Sequence, residues 1–244
     1  MIDLHCHILP GVDDGAQTMA DSLEMARMAA HSGVRAIVAT PHCNVPNSPM
    51  PNYLDETLMN RVMQLRDEID YAGIPLRLYA GAEVFCTPQM PDLLQERKLL
   101  SVAGSRYLLV EFFFDESPDF MDHCFSQIAA LGFVPVIAHP ERYEAVQRSP
   151  HLIQRWFHKG FIIQLNKGTI LGKLGSRAQT AARWALQHGY AHAVASDAHG
   201  IRIRTPHMGE LRHHLDTHYS PAYARLLLST NPGRIIRDQE TVRP

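Results

Sequence analysis

No apolar run in this 244-residue sequence is long enough to cross a bilayer, so we expect no membrane insertion. Charge of one sign is not in excess either, because 23 basic residues face 25 acidic ones. That balance predicts neither a nucleic-acid-binding surface nor a polybasic membrane-binding surface. A strand-like stretch begins at the first residue, which leaves no room for a signal peptide and predicts a cytoplasmic protein.

Cysteine is scarce, and its positions exclude the usual roles of clustered cysteines. The four cysteines are Cys6, Cys43, Cys86 and Cys124, and no two of them form a CxxC motif. A chain of this length does not need disulfides for stability, so we expect reduced thiols, as found in the cytoplasm. Internal repeats, low-complexity tracts and linkers are also missing, so we predict one domain over residues 1–244.

Histidine, in contrast, is abundant, with 15 residues in the chain. The first two of them lie in the strand-like stretch at residues 1–7. Because successive side chains of a strand point to opposite sides, His5 and His7 should share one face with Asp3. Leu4 and Cys6 should then share the other face. Two imidazoles on one face can bind a single metal ion, although the His-x-His spacing alone does not establish a site.

Strand-like and helix-like segments alternate along the whole chain. The predicted strands cover residues 1–7, 35–40, 75–81, 107–112, 133–138, 161–165 and 191–195. The predicted helices cover residues 18–32, 53–71, 93–97, 119–131, 150–158, 176–188, 206–218 and 222–228. Most of the strands are continuous apolar runs, which are typical of parallel strands covered on both faces, as in an α/β barrel.

Polar residues that can bind metals fall at or just after the C-terminal ends of these strands. They are His5, His7, His42, Glu83, Glu111, His139, Asp197 and His199. Glu111 is the most informative of them, because it interrupts an apolar run, where a carboxylate needs a partner or a metal. In α/β barrels the C-terminal strand ends carry the active site, so the sequence predicts a metal site there.

The chemical types of these ligands indicate a catalytic centre rather than a structural zinc site. They are imidazoles and carboxylates without thiolates, a set that suits manganese, iron or zinc. They outnumber what one ion can bind, so we expect two or three ions bridged by carboxylates. Such a cluster can hold both oxygens of an in-line phosphoryl displacement and supply hydroxide at neutral pH.

Short motifs at the strand ends form a set that is more specific than any one of them. They are His5-Cys6-His7, Asp13-Asp14-Gly15, Thr40-Pro41-His42, Gly81-Ala82-Glu83, Glu111, Ala138-His139-Pro140-Glu141-Arg142-Tyr143 and Ser196-Asp197-Ala198-His199. This set resembles the polymerase and histidinol phosphatase (PHP) family, in particular bacterial PHP-type protein-tyrosine phosphatases of capsule and exopolysaccharide gene clusters. The resemblance implies an α/β fold, a distorted (β/α)7 TIM-like barrel of PHP type, with a trinuclear metal site.

The resemblance also implies how the ligands divide among the ions. One ion would take His5, His7, Glu83 and Asp197. Glu83 would bridge to a second ion held by Glu111 and His139, and a third would take Asp14, His42 and His199. Asp13 and Asp14 are adjacent, so spacing alone does not decide which of them is the ligand. Arg142 and Arg204 match the phosphate-binding positions of the family, and a guanidinium group fits phosphate bidentately.

On this resemblance, the protein would be a metal-dependent protein-tyrosine phosphatase. Its cofactor would be Mn²⁺, in up to three ions, with Fe, Zn, Co or Mg as alternatives. A metal-activated hydroxide would hydrolyse phosphotyrosine in a partner protein, a bacterial tyrosine autokinase of capsular or exopolysaccharide synthesis.

The residues alone leave other functions open. Histidinol phosphate or another small phosphomonoester is an alternative substrate, since a fold does not determine a substrate. An amidohydrolase would also begin with His-x-His, but such enzymes commonly bridge two metals with a modified lysine after the fourth strand. Residues 107–114 contain Glu111 and no lysine. A metal-dependent scaffold that binds a kinase without catalysis is a third possibility, and the complete ligand set argues against lost activity. The sequence does not indicate an oligomeric state.

Overall fold

Parallel β-strands in two sheets form the frame of the computed structural model, which describes residues 1–243. The strands are β1 (Ile2–Cys6), β2 (Ala36–Ala39), β3 (His42–Cys43), β4 (Arg77–Ala80), β5 (Glu83–Phe85), β6 (Tyr107–Glu111), β7 (Val134–Ala138), β8 (Ile162–Asn166) and β9 (Ala193–Ala195). The first sheet has the order β1-β2-β4, and the second has the order β3-β5-β6-β7-β8-β9. All paired strands are parallel, as the continuous apolar runs predict.

Two short strands, β3 and β5, closely follow β2 and β4, and neither of them is part of a predicted strand. β2 stops before Pro41, which has no backbone donor, and the chain resumes as β3 at His42. β4 stops before Gly81, and the chain resumes as β5 at Glu83. An added Cβ at Gly81 would lie only 2.8 Å from a side-chain carbon of Val38, so this close approach requires glycine. The two breaks place His42 and Glu83 side by side as register partners.

The two sheets curve, so that β1 lies next to the segment that follows β9. The amide of Asp197 donates to the carbonyl oxygen of His5 over 2.9 Å. The amide of His7 donates to the carbonyl oxygen of Ala198, also over 2.9 Å. The parallel sheet is thereby curled into a half-barrel, and the first and last strands present their C-terminal ends next to each other.

β1 departs from the strict alternation that the sequence predicts. Its register against β2 shifts between Asp3 and Cys6. Leu4 packs in one core cluster with Leu109 and Val136, whereas Cys6 packs in the other core cluster. The expectation that Leu4 and Cys6 share a face is therefore wrong, because an irregularity in a strand ladder changes the direction of neighbouring side chains.

The connections between strands are mainly helical, and the longer helices overlap the predicted segments. The helices are α1 (Met19–His31), α2 (Glu56–Tyr71), α3 (Met90–Gln95), α4 (Pro118–Ala130), α5 (Glu144–Arg148), α6 (His151–His158), α7 (Lys167–Ile170), α8 (Ser176–Gln187), α9 (Gly209–His218), α10 (Pro221–Arg225) and α11 (Asn231–Ile235). Thr18 and Asp21 form a capping box that starts α1. Met25 and Ala29 of α1 are buried in the same core cluster as Ile37.

The short helices α5 and α7 were not predicted. They contain five and four residues, which is too short to show a helical period of apolar residues. α2 begins later than residue 53 because Asp55 caps it by accepting a hydrogen bond from the amide of Leu58. Within residues 1–243, none of the helices combines the length and apolarity that crossing a bilayer requires.

Candidate metal centre

The polar side chains predicted at the strand ends meet at one edge of the half-barrel. The structure places His5 and His7 at the end of β1, His42 at the start of β3, Glu83 at the start of β5, Glu111 at the end of β6, His139 directly after β7, and Asp197 and His199 after β9. Asp14, on the loop between β1 and α1, contacts His42 and His199. All the residues predicted as metal ligands therefore lie in one cluster.

A first group of donor atoms lies deep in this cluster. His5 Nε2 and His7 Nε2 are 3.1 Å apart, and Glu83 Oε2 lies 3.2 Å from the first and 3.3 Å from the second. Asp197 Oδ1 lies 3.5 Å from His5 Nε2 and 3.6 Å from His7 Nε2. All four side chains are buried. They are the four residues that the family resemblance assigns to a single ion.

Glu83 connects this first group to a second one. Its Oε1 atom lies 2.9 Å from His139 Nε2, and its Oε2 atom lies 3.1 Å from His42 Nδ1. The same nitrogen of His42 lies 2.8 Å from Glu111 Oε1. The ligands expected for the second ion are Glu83, Glu111 and His139. His42 lies next to them, although the family resemblance assigns it to the third ion.

His42 also faces a third group through its other ring nitrogen. His42 Nε2 and His199 Nε2 each lie 3.4 Å from Asp14 Oδ1. One atom each from His7, Asp14, His42 and His199 lie within 4.8 Å of one another. His42 is therefore shared between two groups of donors, one at each ring nitrogen.

The distances and the missing hydrogen bonds fit bound cations. Two donors that bind one ion at about 2.1 Å lie about 3.0 to 3.4 Å apart in octahedral or tetrahedral coordination. His42 Nδ1 and Glu111 Oε1 are close but are not aligned as a hydrogen bond. Glu83 Oε2 and His139 Nδ1 are buried and have no hydrogen-bond partner within residues 1–243. Buried polar atoms without partners are costly, so the cluster fits metal ions that the carboxylates and imidazoles would bind.

The raised pKa values of two histidines, His7 and His42, also indicate that the carboxylates of this cluster attract positive charge. Burial opposes protonation of His7, but the surrounding carboxylates, that of Asp13 first, raise its pKa well above the usual value. Burial likewise opposes protonation of His42, yet the adjacent carboxylates of Glu111 and Glu83 raise its pKa to about 10. Protons and metal ions therefore compete for these imidazoles, and metal binding should release protons.

The adjacent aspartates, which spacing could not separate, have different partners. Asp13 Oδ2 lies 2.8 Å from His7 Nδ1 and accepts a hydrogen bond from the amide of His42 over 3.0 Å. Asp13 Oδ1 accepts one from the amide of Gly15 over 2.9 Å. Asp14 instead belongs to the third donor group. Asp13 therefore fits the role of a carboxylate that orients a metal-binding histidine, and Asp14 fits the role of a ligand.

Asparagine substitutions should separate these two roles. Asp14→Asn should lower the number of ions bound per chain, because it removes a charged donor. Asp13→Asn should leave the number of ions bound per chain unchanged at saturating metal. It should weaken metal affinity about 10- to 100-fold, the usual effect of losing a residue that orients a metal ligand. Elemental analysis would count the ions, and competition with a chelator would measure affinity. The same loss of bound ions in both variants would contradict the assignment.

Two residues of β8 that the sequence analysis did not assign to the site support the first donor group. Gln164 Oε1 lies 2.9 Å from His5 Nδ1, and the amide of the same side chain donates to the carbonyl of Leu165 over 2.8 Å. This contact leaves His5 Nε2 directed at the cluster. Asn166 donates to Asp197 Oδ2 over 2.6 Å. Their only signal in the sequence is that both are polar residues of a buried strand.

The backbone at the cluster is held in an uncommon conformation. His139, Asp197 and Arg204 have φ angles of 34°, 49° and 49°, in the left-handed region that residues other than glycine seldom adopt. Such conformations persist where surrounding contacts enforce them, and they concentrate at functional sites. For Asp197, the hydrogen bond from its amide to His5 is one such contact.

The two arginines predicted to bind phosphate converge on Asp197. Arg142 Nη1 lies 3.4 Å from Asp197 Oδ2, and Arg204 Nη2 lies 2.7 Å from Asp197 Oδ1. Both arginine side chains are partly exposed, at 21% and 31%, respectively. Lys167 supports the loop that carries Arg204 by donating to the carbonyl of Thr205. Two accessible guanidinium groups beside a metal-binding cluster can bind the free oxygens of a phosphate.

The chain matches the family described as capsular polysaccharide synthesis, CpsB/CapC, over residues 1–237. It is 34% identical over 246 residues to the tyrosine-protein phosphatase YwqE of Bacillus subtilis, and the match covers 100% of this chain and 94% of that relative. It is 30% identical over 244 residues to the tyrosine-protein phosphatase CpsB of Streptococcus pneumoniae, with 98% and 99% of the two chains covered.

The fold is similar to a solved structure with a TM-score of 0.92 and 34% identity, covering 100% of this chain and 97% of that chain. That structure comes from a study of YwqE from Bacillus subtilis and CpsB from Streptococcus pneumoniae, which it describes as unique metal-dependent tyrosine phosphatases. The predicted resemblance and the predicted α/β fold of PHP type are thereby confirmed.

Proposed function

We propose that this chain, which belongs to the CpsB/CapC family of capsular polysaccharide synthesis, is a metal-dependent tyrosine-protein phosphatase. The main structural support for this function is the convergence of two guanidinium groups on a buried cluster of imidazoles and carboxylates. The names of the relatives agree with the activity that the motifs predict, so that prediction is confirmed at the level of the family.

The proposed ligands of up to three ions are the donors described above. They are His5, His7, Glu83 and Asp197 in the first group, Glu83, Glu111 and His139 with neighbouring His42 in the second, and Asp14, His42 and His199 in the third. We propose Mn²⁺ as the ion, because imidazole and carboxylate ligands without thiolate suit it. When bound, such ions supply hydroxide at neutral pH and offset the negative charge of a phosphoryl group.

Arg142 and Arg204 are the proposed phosphate-binding residues. Both face Asp197 and are partly exposed, so each can turn a guanidinium edge towards the free oxygens of a phosphate. Asn166 donates to Asp197 and keeps its carboxylate oriented when the arginines contact the substrate. These residues hold the phosphorus atom in place for attack, which is a large part of catalysis in phosphoryl transfer.

A cysteine nucleophile does not fit this chain. Cysteine-based tyrosine phosphatases use a thiolate six residues before an arginine, whereas here the residues six after the cysteines are Val12, Pro49, Asp92 and Ala130. All four thiols are free and buried. Burial raises the pKa of Cys43, which follows His42, to about 12 and keeps this thiol neutral. The proposed nucleophile is therefore an oxygen derived from water.

For the physiological substrate we propose a phosphotyrosine protein, namely a bacterial tyrosine autokinase of capsular or exopolysaccharide synthesis. The description of the family and the names of the relatives support this class of substrate. We also propose that the protein works in the cytoplasm, where free thiols such as these stay reduced. The family match over residues 1–237 supports the proposal that the chain acts as one domain.

A comparison of two substrates would test the proposed activity. The Mn²⁺-loaded protein should hydrolyse a phosphotyrosine peptide with a kcat/KM at least about 100-fold above that for histidinol phosphate, since differential contacts to the leaving group set such ratios. A phosphate-release assay on both compounds measures this. A preference for histidinol phosphate would contradict the proposed activity and favour the small-substrate alternative.

A further inference from the structure

Two neighbouring aromatic side chains are exposed directly after β6. Phe113 is 52% exposed and Phe114 is 44% exposed, whereas the preceding Phe112 is buried in the core. Exposed apolar side chains are common one at a time, but adjacent large ones at the edge of a functional site indicate a binding surface. β6 ends at Glu111, so these two rings lie next to the metal-binding cluster.

The ring of Phe114 lies beside the cluster and is partly exposed to solvent. Its centroid is 4.4 Å from the guanidinium carbon of Arg142 and 6.2 Å from the centroid of the His139 ring. The carbonyl of Phe114 accepts a hydrogen bond from the amide of Glu144 over 2.8 Å, which fixes the backbone at this position. Phe113 packs edge-on against the buried Phe85 at 4.6 Å. Both rings are therefore held in place although half of their surface is free.

We propose that Phe114, supported by Phe113, forms the subsite that binds the aromatic ring of the substrate and makes the site prefer aryl over alkyl phosphates. This inference rests on the proposed function. In phosphotyrosine a single oxygen atom joins the aromatic ring to phosphorus. When Arg142 binds the phosphate, the ring is therefore within reach of Phe114. Aromatic pairs attract at centroid distances of about 4.5 to 7 Å, and Phe114 is 44% exposed and can meet such a partner.

A simpler role for Phe114 would be to position Arg142 through the cation–π contact between them. That role would affect every ligand that carries a phosphoryl or phosphonate group by the same factor. Contact with an aromatic ring would affect only ligands that have one. The ratio of affinities for an aryl ligand and an alkyl ligand therefore separates the two roles.

The test measures binding to the Mn²⁺-loaded protein by calorimetry and needs no turnover. The probes are benzylphosphonate and propylphosphonate, which share the anionic group and differ in the ring. Phe114→Ala should weaken benzylphosphonate binding about 10-fold and propylphosphonate binding by less than about twofold. Phe114→Tyr should keep the affinity for both. The matched control is Tyr71→Ala, because Tyr71 is 92% exposed at the end of α2, which leads into the N-terminal end of β4, and its loss should change neither affinity.

Equal weakening of both phosphonates in Phe114→Ala would overturn the proposal in favour of a role in positioning Arg142. Unchanged binding of both phosphonates, with slower turnover only of a phosphorylated protein, would also overturn it and indicate a protein-docking surface. A preference of the unsubstituted protein for benzylphosphonate that depends on Phe114, without hydrolysis of a phosphotyrosine peptide, would support this subsite and contradict the proposed function.

Discussion

Replacing Arg142 with alanine should lower kcat/KM for a phosphotyrosine peptide about 100- to 1000-fold, the usual effect of losing one well-placed donor to transition-state charge. Its guanidinium group lies beside Asp197 at the accessible side of the cluster. Because arginine is not a metal ligand, the number of bound ions should not change. Steady-state kinetics together with elemental analysis of the same sample would measure both quantities.

Two further variants make this prediction specific. Arg142→Lys keeps the charge but not the planar pair of donors, so it should recover only part of the lost efficiency. Arg148→Ala is the matched control, because Arg148 lies on the following helix, is 68% exposed and pairs with Glu144 across one turn. Unchanged kinetics in Arg142→Ala would remove this residue from the site. A loss of metal in Arg142→Ala would show instead that its main role is to hold Asp197.

Removing the metal ions should abolish phosphatase activity altogether. The two buried carboxylate oxygens of Glu83 face four imidazoles, and Oε2 has no hydrogen-bond partner within residues 1–243, an arrangement that favours a bound cation. The same donors bring together β1, β5 and the segment after β9, so removal should also lower the midpoint of thermal unfolding. Mn²⁺ should restore activity better than Mg²⁺, because many of the donors are imidazoles, which suit transition metals better than Mg²⁺.

Periodicity predicted the order of strands and helices well, because each buried strand is a local apolar run. The short strands β3 and β5 were not predicted, because strands of two and three residues are recognised only by their pairing in the folded protein. The shifted register of β1 was missed for a similar reason. An irregular ladder is a property of two paired strands, and the sequence of one strand does not reveal it.

The residues of the candidate site could be predicted from the sequence because parallel strands bring their C-terminal ends to one edge. The contacts that each of these residues makes were harder to predict. The different partners of Asp13 and Asp14 depend on the direction of two adjacent side chains, which only the fold of the loop determines. Likewise, the use of both ring nitrogens of His42 depends on its register next to Glu83.

Phosphotyrosine hydrolysis by this protein should depend on ions bound to the cluster, and a metal titration measures that dependence. The protein would be stripped with a strong chelator, and Mn²⁺ would be added back while bound ions are counted by elemental analysis and turnover of a phosphotyrosine peptide is recorded. We predict no turnover in the stripped protein and recovery in step with bound metal, with saturation at no more than about three ions per chain. Full turnover in protein that contains no metal would show that catalysis does not require metal ions in this cluster.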